Sequence, residues 1–423
     1  MDVAWARARS IGVALAAAVL ALPAALVFLA AWLIRGRPVA YRFGARRTAG
    51  LLRALGPAFV KVGQLVGTRR DMLHPAVSAE LAALQDSVRP MARRRGRRAL
   101  IQAYGADLAA LFPVVDERPV AGGSVACVYR AVLGDGREVA LKLQRPGVAA
   151  RMTADLGFVR TAVGWAARLP WLRGVPVVEM VGNVCDAVGQ QVDFVREADN
   201  LVLLRKHLGP TPAALVPEVH PALCRSTCVA MEFVPGLRLR PASDFSPGMR
   251  RDLADKTLDV VFQMLFVEGF VHCDLHPGNL YYTDEGRVVV LDAGFCVWMA
   301  DKPRREFAEF FFNVGRGNGR RCAEVMIESA VAGAGTADRE RFTTEIVELV
   351  RRTTRVPAKD FSLIEFTAKL FDLQRECGLY PSADFVFPLL SILALEGTLR
   401  DLDPELDFQS AATPYLLRAI AKR

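Results

Sequence analysis

The sequence predicts an α+β chain of two lobes, a small one carrying a sheet and a larger, mostly helical one. A basic helical extension and an N-terminal transmembrane helix precede them. Three observations predict this. β-Branched runs on either side of Gly134-Asp135-Gly136 read as a strand pair with a tight turn. Beyond about residue 236 the apolar spacing is helical nearly to the end, broken by one hairpin pattern. Residues 11–34, IGVALAAAVLALPAALVFLAAWLI, carry no charge at all. A chain of 423 residues, 52% of them hydrophobic, has room for a bilobal core with additions.

The apolar run comes first. As a helix its 24 residues span about 36 Å, enough for a hydrocarbon core of about 30 Å. Pro23 is a kink that a membrane helix tolerates. A cleaved signal peptide is the rival reading, since Arg7 and Arg9 precede the run. The run is long for that, and Trp32 and Arg35 stand where small residues should mark cleavage. From Arg35 to Arg70 there are nine basic residues and no acidic one, which orients a single-pass signal anchor in the cytoplasmic membrane with the body in the cytoplasm. A second cluster, RPMARRRGRR, fills 89–98, and the net charge is +9. Such blocks suit anionic membrane lipid; no nucleic-acid motif or basic–aromatic interleaving accompanies them, so no nucleic-acid partner is expected. The eight Cys are scattered, with only Cys224 and Cys228 close together, which fits reduced thiols in core or spacer positions and no zinc site.

Four segments are expected: the anchor (1–36), a basic helical extension (37–113), a sheet-bearing lobe with a helical insertion (114–235) and a helical lobe (236–423). The extension has helical spacing in AGLLRALGPAFVKVGQLV and AELAALQDSV. Strands begin near Val114, helical patterning returns over 147–208, and CVAMEFVPG at 228–236 is strand-like. In the last lobe Leu280–Tyr282 and Arg287–Leu291 flank the turn Thr283-Asp284-Glu285-Gly286.

That hairpin sits inside HCDLHPGNLYYTDEGRVVVLDAG, residues 272–294, where the chemistry concentrates. Asp274, Asn279 and Asp292 follow one another at intervals of five and thirteen. Carboxylates and an amide carbonyl are hard oxygen ligands, suited to a Mg²⁺ that already carries phosphate oxygens and waters. The hairpin returns the chain so that Asp292 can lie beside Asn279, with Asp274 in a tight loop fixed by His272 and Pro277. This D-x₄-N and D-x-G pattern matches the catalytic-loop and metal-binding signatures of protein-kinase-like folds, and the object to be held is a metal–triphosphate, Mg²⁺ with ATP. Upstream, Ala121-Gly122-Gly123-Ser124-Val125-Ala126-Cys127-Val128 has the shape of a kinase phosphate loop with Ala121 and Ala126 at two Gly positions. Lys142 ends VALK on the next strand, where it would meet the α- and β-phosphates as a point charge. Glu197 in DFVREADN is the candidate for its helix partner.

On these residues the chain resembles the UbiB family of atypical kinase-like proteins, also called AarF-domain kinases, over roughly residues 45–423. KVGQLVGTRRDMLHPAVSAELAALQDSV, residues 61–88, resembles the family's K-x-G-Q segment. AGGS resembles its Ala-rich loop, HCDLHPGN its H-x-D-P-H-P-G-N loop, and Asp292-Ala293-Gly294 its Asp-Phe-Gly. The resemblance implies that Lys61 and Gln64 reach into the nucleotide site as a lid that blocks peptide access. It also implies that Asp274 is the catalytic Asp, that Asn279 and Asp292 bind Mg²⁺, and that backbone near Glu232–Val234 meets the adenine. It further implies an ATPase or small-molecule kinase supporting isoprenoid quinone synthesis at membranes, with a prenyl-quinone intermediate or quinone-biosynthesis enzymes as partners. The chain departs from the family at Gln191-Val192-Asp193, where a Glu-x-Asp is common, and at Ala293, where a Phe is common. Asp193 is then the expected partner of Lys61, and the lid is expected to be held more loosely. Two other functions fit parts of the pattern: a small-molecule kinase of the aminoglycoside or choline type, which lacks the K-x-G-Q extension, and a nucleotide-binding scaffold of negligible catalysis.

Overall fold

The computed structural model describes residues 9, 11–13, 37–68, 75–82, 84, 90–169, 175–237, 241–275, 278–332, 338–354 and 360–421. Of the expected transmembrane helix, only 11–13 fall among these; the rest lies outside the described residues, as does Pro277. Among the described residues no helix is long and apolar enough to cross a membrane. The chain divides into two compact units, Met1–Val195 with Leu223–Ala230, and Arg196–Ala222 with Met231–Arg423.

In the first unit α1 (Arg37–Leu55), α2 (Pro57–Thr68) and α3 (Pro75–Ala82) pack on one another around Ala49, Val60, Leu81 and Leu84. Gly63 permits the close approach, since a Cβ there would stand 2.6 Å from Leu52 Cδ1. α4 (Arg93–Tyr104) buries Gly96, Ala99, Leu100 and Tyr104 and leaves Arg93, Arg94, Arg95, Arg97 and Arg98 exposed. Its buried stripe covers the sheet formed by β1 (Val114–Val115), β2 (Ala121–Gly122), β3 (Ala126–Val132) and β4 (Glu138–Gln144). β3 and β4 pair antiparallel from Ala126↔Gln144 to Val132↔Glu138 around the expected turn. The period of two puts Cys127, Tyr129, Ala131, Val139, Leu141 and Leu143 in the core under α4 and leaves Val128 and Lys142 opposed on the other face. α5 (Val148–Ala166) and α6 (Val177–Gln190) follow, and α2 packs on both, with Phe59 edge-on to Phe158 at 6.3 Å.

The chain leaves through α7 (Phe194–Leu208) and β5 (Ala214–Leu215), then returns as β6 (Cys228–Glu232), which completes the sheet order β1-β3-β4-β6. In the second unit α8 (Pro247–Phe262) starts at an N-cap, Ser246, whose side chain accepts from the Met249 N–H at 3.3 Å. It ends in a π-helical turn, Gln263–Glu268, stopped by Gly269 at φ +76°. Next come β7 (Phe270–His272), β8 (Leu280–Tyr282), β9 (Val288–Val290) and β10 (Cys296–Trp298). β8 and β9 form the expected hairpin, β5 lies parallel to β9, and β7 pairs with β10. The rest is α9 (Asp301–Gly315), α10 (Gly319–Glu328), β11 (Ala330–Ala332), α11 (Arg339–Thr353), α12 (Leu363–Glu376), β12 (Tyr380–Pro381), α13 (Ala383–Leu402) and α14 (Phe408–Ala421). The expectation of helix broken only by one hairpin is therefore corrected: two further short strand pairs and a π-helical turn interrupt it. Glu396 of α13 is buried where it accepts the N–H groups of Leu363 and Ile364 at 3.0 and 2.6 Å, capping α12 across the fold.

Candidate active site

In the first unit the phosphate-loop candidate is a short hairpin. Ala121 faces Val128 and Gly122 faces Cys127, and the Gly123 N–H donates to the Ala126 carbonyl at 2.9 Å. Arg145, which sequence reasoning missed, pins the tip: its N–H donates to Val125 O at 2.8 Å and its Nε to Gly123 O at 2.7 Å. Ser124 is buried, a Cβ on Gly122 would meet Cys127 Sγ at 3.3 Å, and a Cβ on Gly123 would meet nothing within 4 Å. The open side of the loop is thus at Gly123, where a ligand's phosphates could approach the backbone. The sheet places Lys142 directly across from Val128, on the loop's own strand pair. Its side chain is buried, with Nζ 5.6 Å from the Phe194 ring centroid.

Lys61 and Gln64 lie on α2, half-buried; Gln64 Nε2 donates to Leu84 O at 2.5 Å, so that N–H is used within the extension. Gln191 caps the C-terminal end of α6, and Gln144 Nε2 donates to Val192 O at 2.8 Å, tying the Gln191–Asp193 segment to the strand of Lys142. α2 packs on α6, so the helix that carries Lys61 and Gln64 and this segment belong to one cluster of elements.

In the second unit four residues form a closed circuit. His272 Nε2–H donates to Leu291 O at 3.0 Å, while its Nδ1 accepts the Asp274 N–H at 3.2 Å. Leu291 N–H donates to Asn279 O at 2.9 Å, and Asn279 Nδ2 donates to Asp274 O at 2.8 Å. The ring is fully buried, and burial pushes its pKa below the ordinary imidazole value, against the opposing pull of Asp274 and Asp292. The circuit fixes the Asp274 backbone, the Asn279 amide and the residue before Asp292 in one frame. Committing Nδ2 to Asp274 turns the other end of the amide, Oδ1, into the group Asn279 can offer a cation.

Asp292 follows at φ 56°, the one positive-φ residue other than glycine among the described residues. A left-handed Asp is strained, and such strain is commonly kept where a side chain must be aimed. The next residue, Ala293, is buried; its carbonyl accepts Asn200 Nδ2 at 2.8 Å. Ser391 Oγ donates to His272 O at 2.8 Å. Asn200, Ser391 and the double role of His272 carried no spacing signal, because each acts through a contact made by the fold. Among the described residues no group of three or more His, Cys, Asp or Glu gathers as a metal site. An amide oxygen and one carboxylate at the mouth of a hairpin nevertheless fit Mg²⁺, which usually takes one or two protein ligands plus phosphate oxygens.

Glu197, in the first turn of α7, is buried. Glu232 donates its N–H to Glu218 O at 2.7 Å and accepts the Glu218 N–H at 3.1 Å through Oε2, and Arg205 stands 3.6 Å from the same carboxylate. Val234 follows β6 in irregular backbone, just before the turn at Pro235-Gly236. A cleft of about 310 Å³ lined by Arg205, Leu208, Val216, Glu232 and Arg287 opens beside this segment.

A family model for the ABC1 atypical kinase-like domain matches residues 83–326. A probable protein kinase UbiB of Pseudomonas putida is 31% identical over 402 residues, covering 93% of this chain and 73% of its own. One of the same name from Aeromonas salmonicida is 30% identical over 393 residues, covering 91% of this chain and 71% of its own. Among solved structures, Rv3197 of Mycobacterium tuberculosis, in complex with erythromycin, matches with a TM-score of 0.61 at 20% identity, covering 85% of this chain and 92% of that one. That likeness carries the α+β fold alone; the kinase-like description comes from the family model. Matched by that domain over more than half its length, and by UbiB proteins along nine-tenths of it, the chain belongs to the ABC1 atypical kinase-like family, as the UbiB resemblance implied.

Proposed function

We propose that the chain is a membrane-held atypical kinase or ATPase that uses Mg²⁺ and ATP in support of isoprenoid quinone or related prenyl-lipid biosynthesis. The observation that carries this reading is the hydrogen-bond circuit His272–Asp274–Asn279–Leu291, which presets the three groups such chemistry needs. Asn279 Oδ1 and the Asp292 carboxylate would hold Mg²⁺, which when bound neutralises charge on the phosphates. Lys142 would meet the phosphates as a point charge and the Gly123 backbone would approach them. Asp274 would accept the proton of an acceptor hydroxyl or orient a water. Because the Glu232 N–H is bonded to Glu218 O, the groups left for an adenine are the Glu232 carbonyl and the Val234 N–H. Lys61 and Gln64 would close over the nucleotide, with Asp193 holding Lys61. The apolar run 11–34 would engage the membrane, and the name UbiB carried by the relatives favours the quinone pathway over other kinase roles.

The test is thermal stabilisation by ADP and ATP, with phosphate release measured alongside. Both nucleotides should stabilise the chain only with Mg²⁺, and Asp292→Asn should abolish the Mg²⁺-dependent part. Equal stabilisation in EDTA would sink the assignment of Asp292. Binding without turnover would favour a scaffold. An unchanged quinone pool in a deletion strain complemented with Asp292→Asn would favour the small-molecule kinase or the scaffold.

A further inference from the structure

Both flanks of the apolar run are tied into the same compact unit. On its N-terminal side Arg9 makes a bidentate pair with Asp155 on α5, Nε to Oδ1 and Nη2 to Oδ2, each at 2.8 Å. The Asp155 side chain is only 3% exposed, and Val13 is buried as well. On its C-terminal side the chain resumes at Arg37 as α1, which packs on α2, and α2 in turn packs on α5, the helix that carries Asp155. Arg9 and α1 are therefore both held by the body.

This conflicts with a single crossing. A helix over 11–34 would set its flanks about 36 Å apart and on opposite faces of the bilayer. With the body following Arg35 on one face, Arg9 would be stranded on the other and could not reach Asp155. A buried carboxylate deprived of its guanidinium is strongly disfavoured, and so is carrying Arg9 through hydrocarbon. The flanking charges agree: Arg7 and Arg9 precede the run, Arg35 and Arg37 follow it, and basic flanks favour the same, cytoplasmic, face.

We propose that the N-terminal flank stays on the membrane face that carries the body, so that the run enters and leaves the bilayer from one side and does not cross it. The proposal rests on the membrane reading above and gives it a topology: both flanks of the run on one face, latched by Arg9–Asp155.

The experiment uses the full chain with an epitope ahead of Met1, expressed in bacteria and collected in sealed inverted membrane vesicles, whose outer face is the cytoplasmic one. A non-permeant protease should remove the epitope as readily as it digests the body. Protection of the epitope until detergent opens the vesicles, while the body is digested, would mean a single crossing and overturn the proposal but leave the membrane reading standing. Recovery of the chain in the soluble fraction would overturn both. Asp155→Asn and, as a gentler variant at the half-exposed partner, Arg9→Gln should each raise the protected fraction several-fold. An unchanged fraction in both variants, with the chain folded, would overturn the latch.

Discussion

The imidazole of His272 accepts the Asp274 N–H and donates to the Leu291 carbonyl, so it works as the neutral Nε2–H tautomer. Its folded pKa is depressed, so its contribution to stability is present above the unfolded value of about 6.5 and is lost as pH falls below it. While the folded ring stays neutral, the loss should approach about 1.4 kcal/mol per pH unit. His272→Gln, which cannot titrate, should flatten the fall in melting temperature between pH 7 and pH 5; equal acid sensitivity in the variant would refute this. Asp292 permits a second prediction. Glycine relieves the left-handed strain at φ 56°, so Asp292→Gly should leave the unliganded chain as stable or up to about 1 kcal/mol more so. It should also remove the Mg²⁺-dependent nucleotide stabilisation. A plain loss of stability would mean that the side chain serves the fold. Asp274, Asn279 and Asp292 could be read from sequence because few chemistries require those types at those spacings. The partners that aim them could not, since Asn200 lies 93 positions from the carbonyl it holds and Ser391 lies 119 from its own.

At the level of elements, α4 lies on the sheet because residue 96 has no side chain. A Cβ there would stand 2.2 Å from Tyr129 Oη and 2.9 Å from Cζ. Tyr129 is buried, and its hydroxyl has no hydrogen-bond partner among the described residues. Gly96→Ala should therefore cost about 1–3 kcal/mol by overpacking. Tyr129→Phe should be neutral or stabilising, because it removes an unsatisfied buried hydroxyl, and it should restore much of what Gly96→Ala loses. Urea unfolding of the two single variants and the double would show it; strict additivity would mean that the clash is not between these residues. The same cycle on Lys61→Ala and Asp193→Ala, read by ADP affinity, tests the lid tether, with coupling of about 0.5–3 kcal/mol expected. The β3–β4 and β8–β9 hairpins were legible because Gly134-Asp135-Gly136 and the 283–286 turn announce them locally. The pairs β7–β10 and β11–β12 were not, being two- or three-residue strands whose hydrogen bonds come from residues far along the chain. Nor was the π-helical turn, whose residues QMLFVE read as ordinary helix.

Over the whole molecule, the net charge of +9 is spent unevenly, and α4 is where the fold makes a surface of it. Its apolar stripe is used against the sheet, so Arg94, Arg95, Arg97 and Arg98 point to solvent, with Arg93 paired to Glu117. Exposed like charges one turn apart gain nothing from each other, and they are favourable only beside an anionic surface. A basic residue near anionic headgroups contributes about 1 kcal/mol, so removing three should weaken the encounter by about two orders of magnitude. The triple variant Arg94→Gln, Arg95→Gln, Arg97→Gln should slow association of the full chain with phosphatidylglycerol vesicles, and both proteins should slow further as salt shortens the screening length from about 10 Å at 0.1 M to about 3 Å at 1 M. Thermal stability of the variant should stay within about 0.5 kcal/mol of the parent, since none of the three side chains is buried. The apolar run would still insert once contact is made, so the effect belongs to the rate of capture rather than to the final bound amount. Capture that is equally fast on neutral phosphatidylcholine vesicles, or indifferent to the substitutions, would leave α4 as a solvated face with no part in finding the membrane.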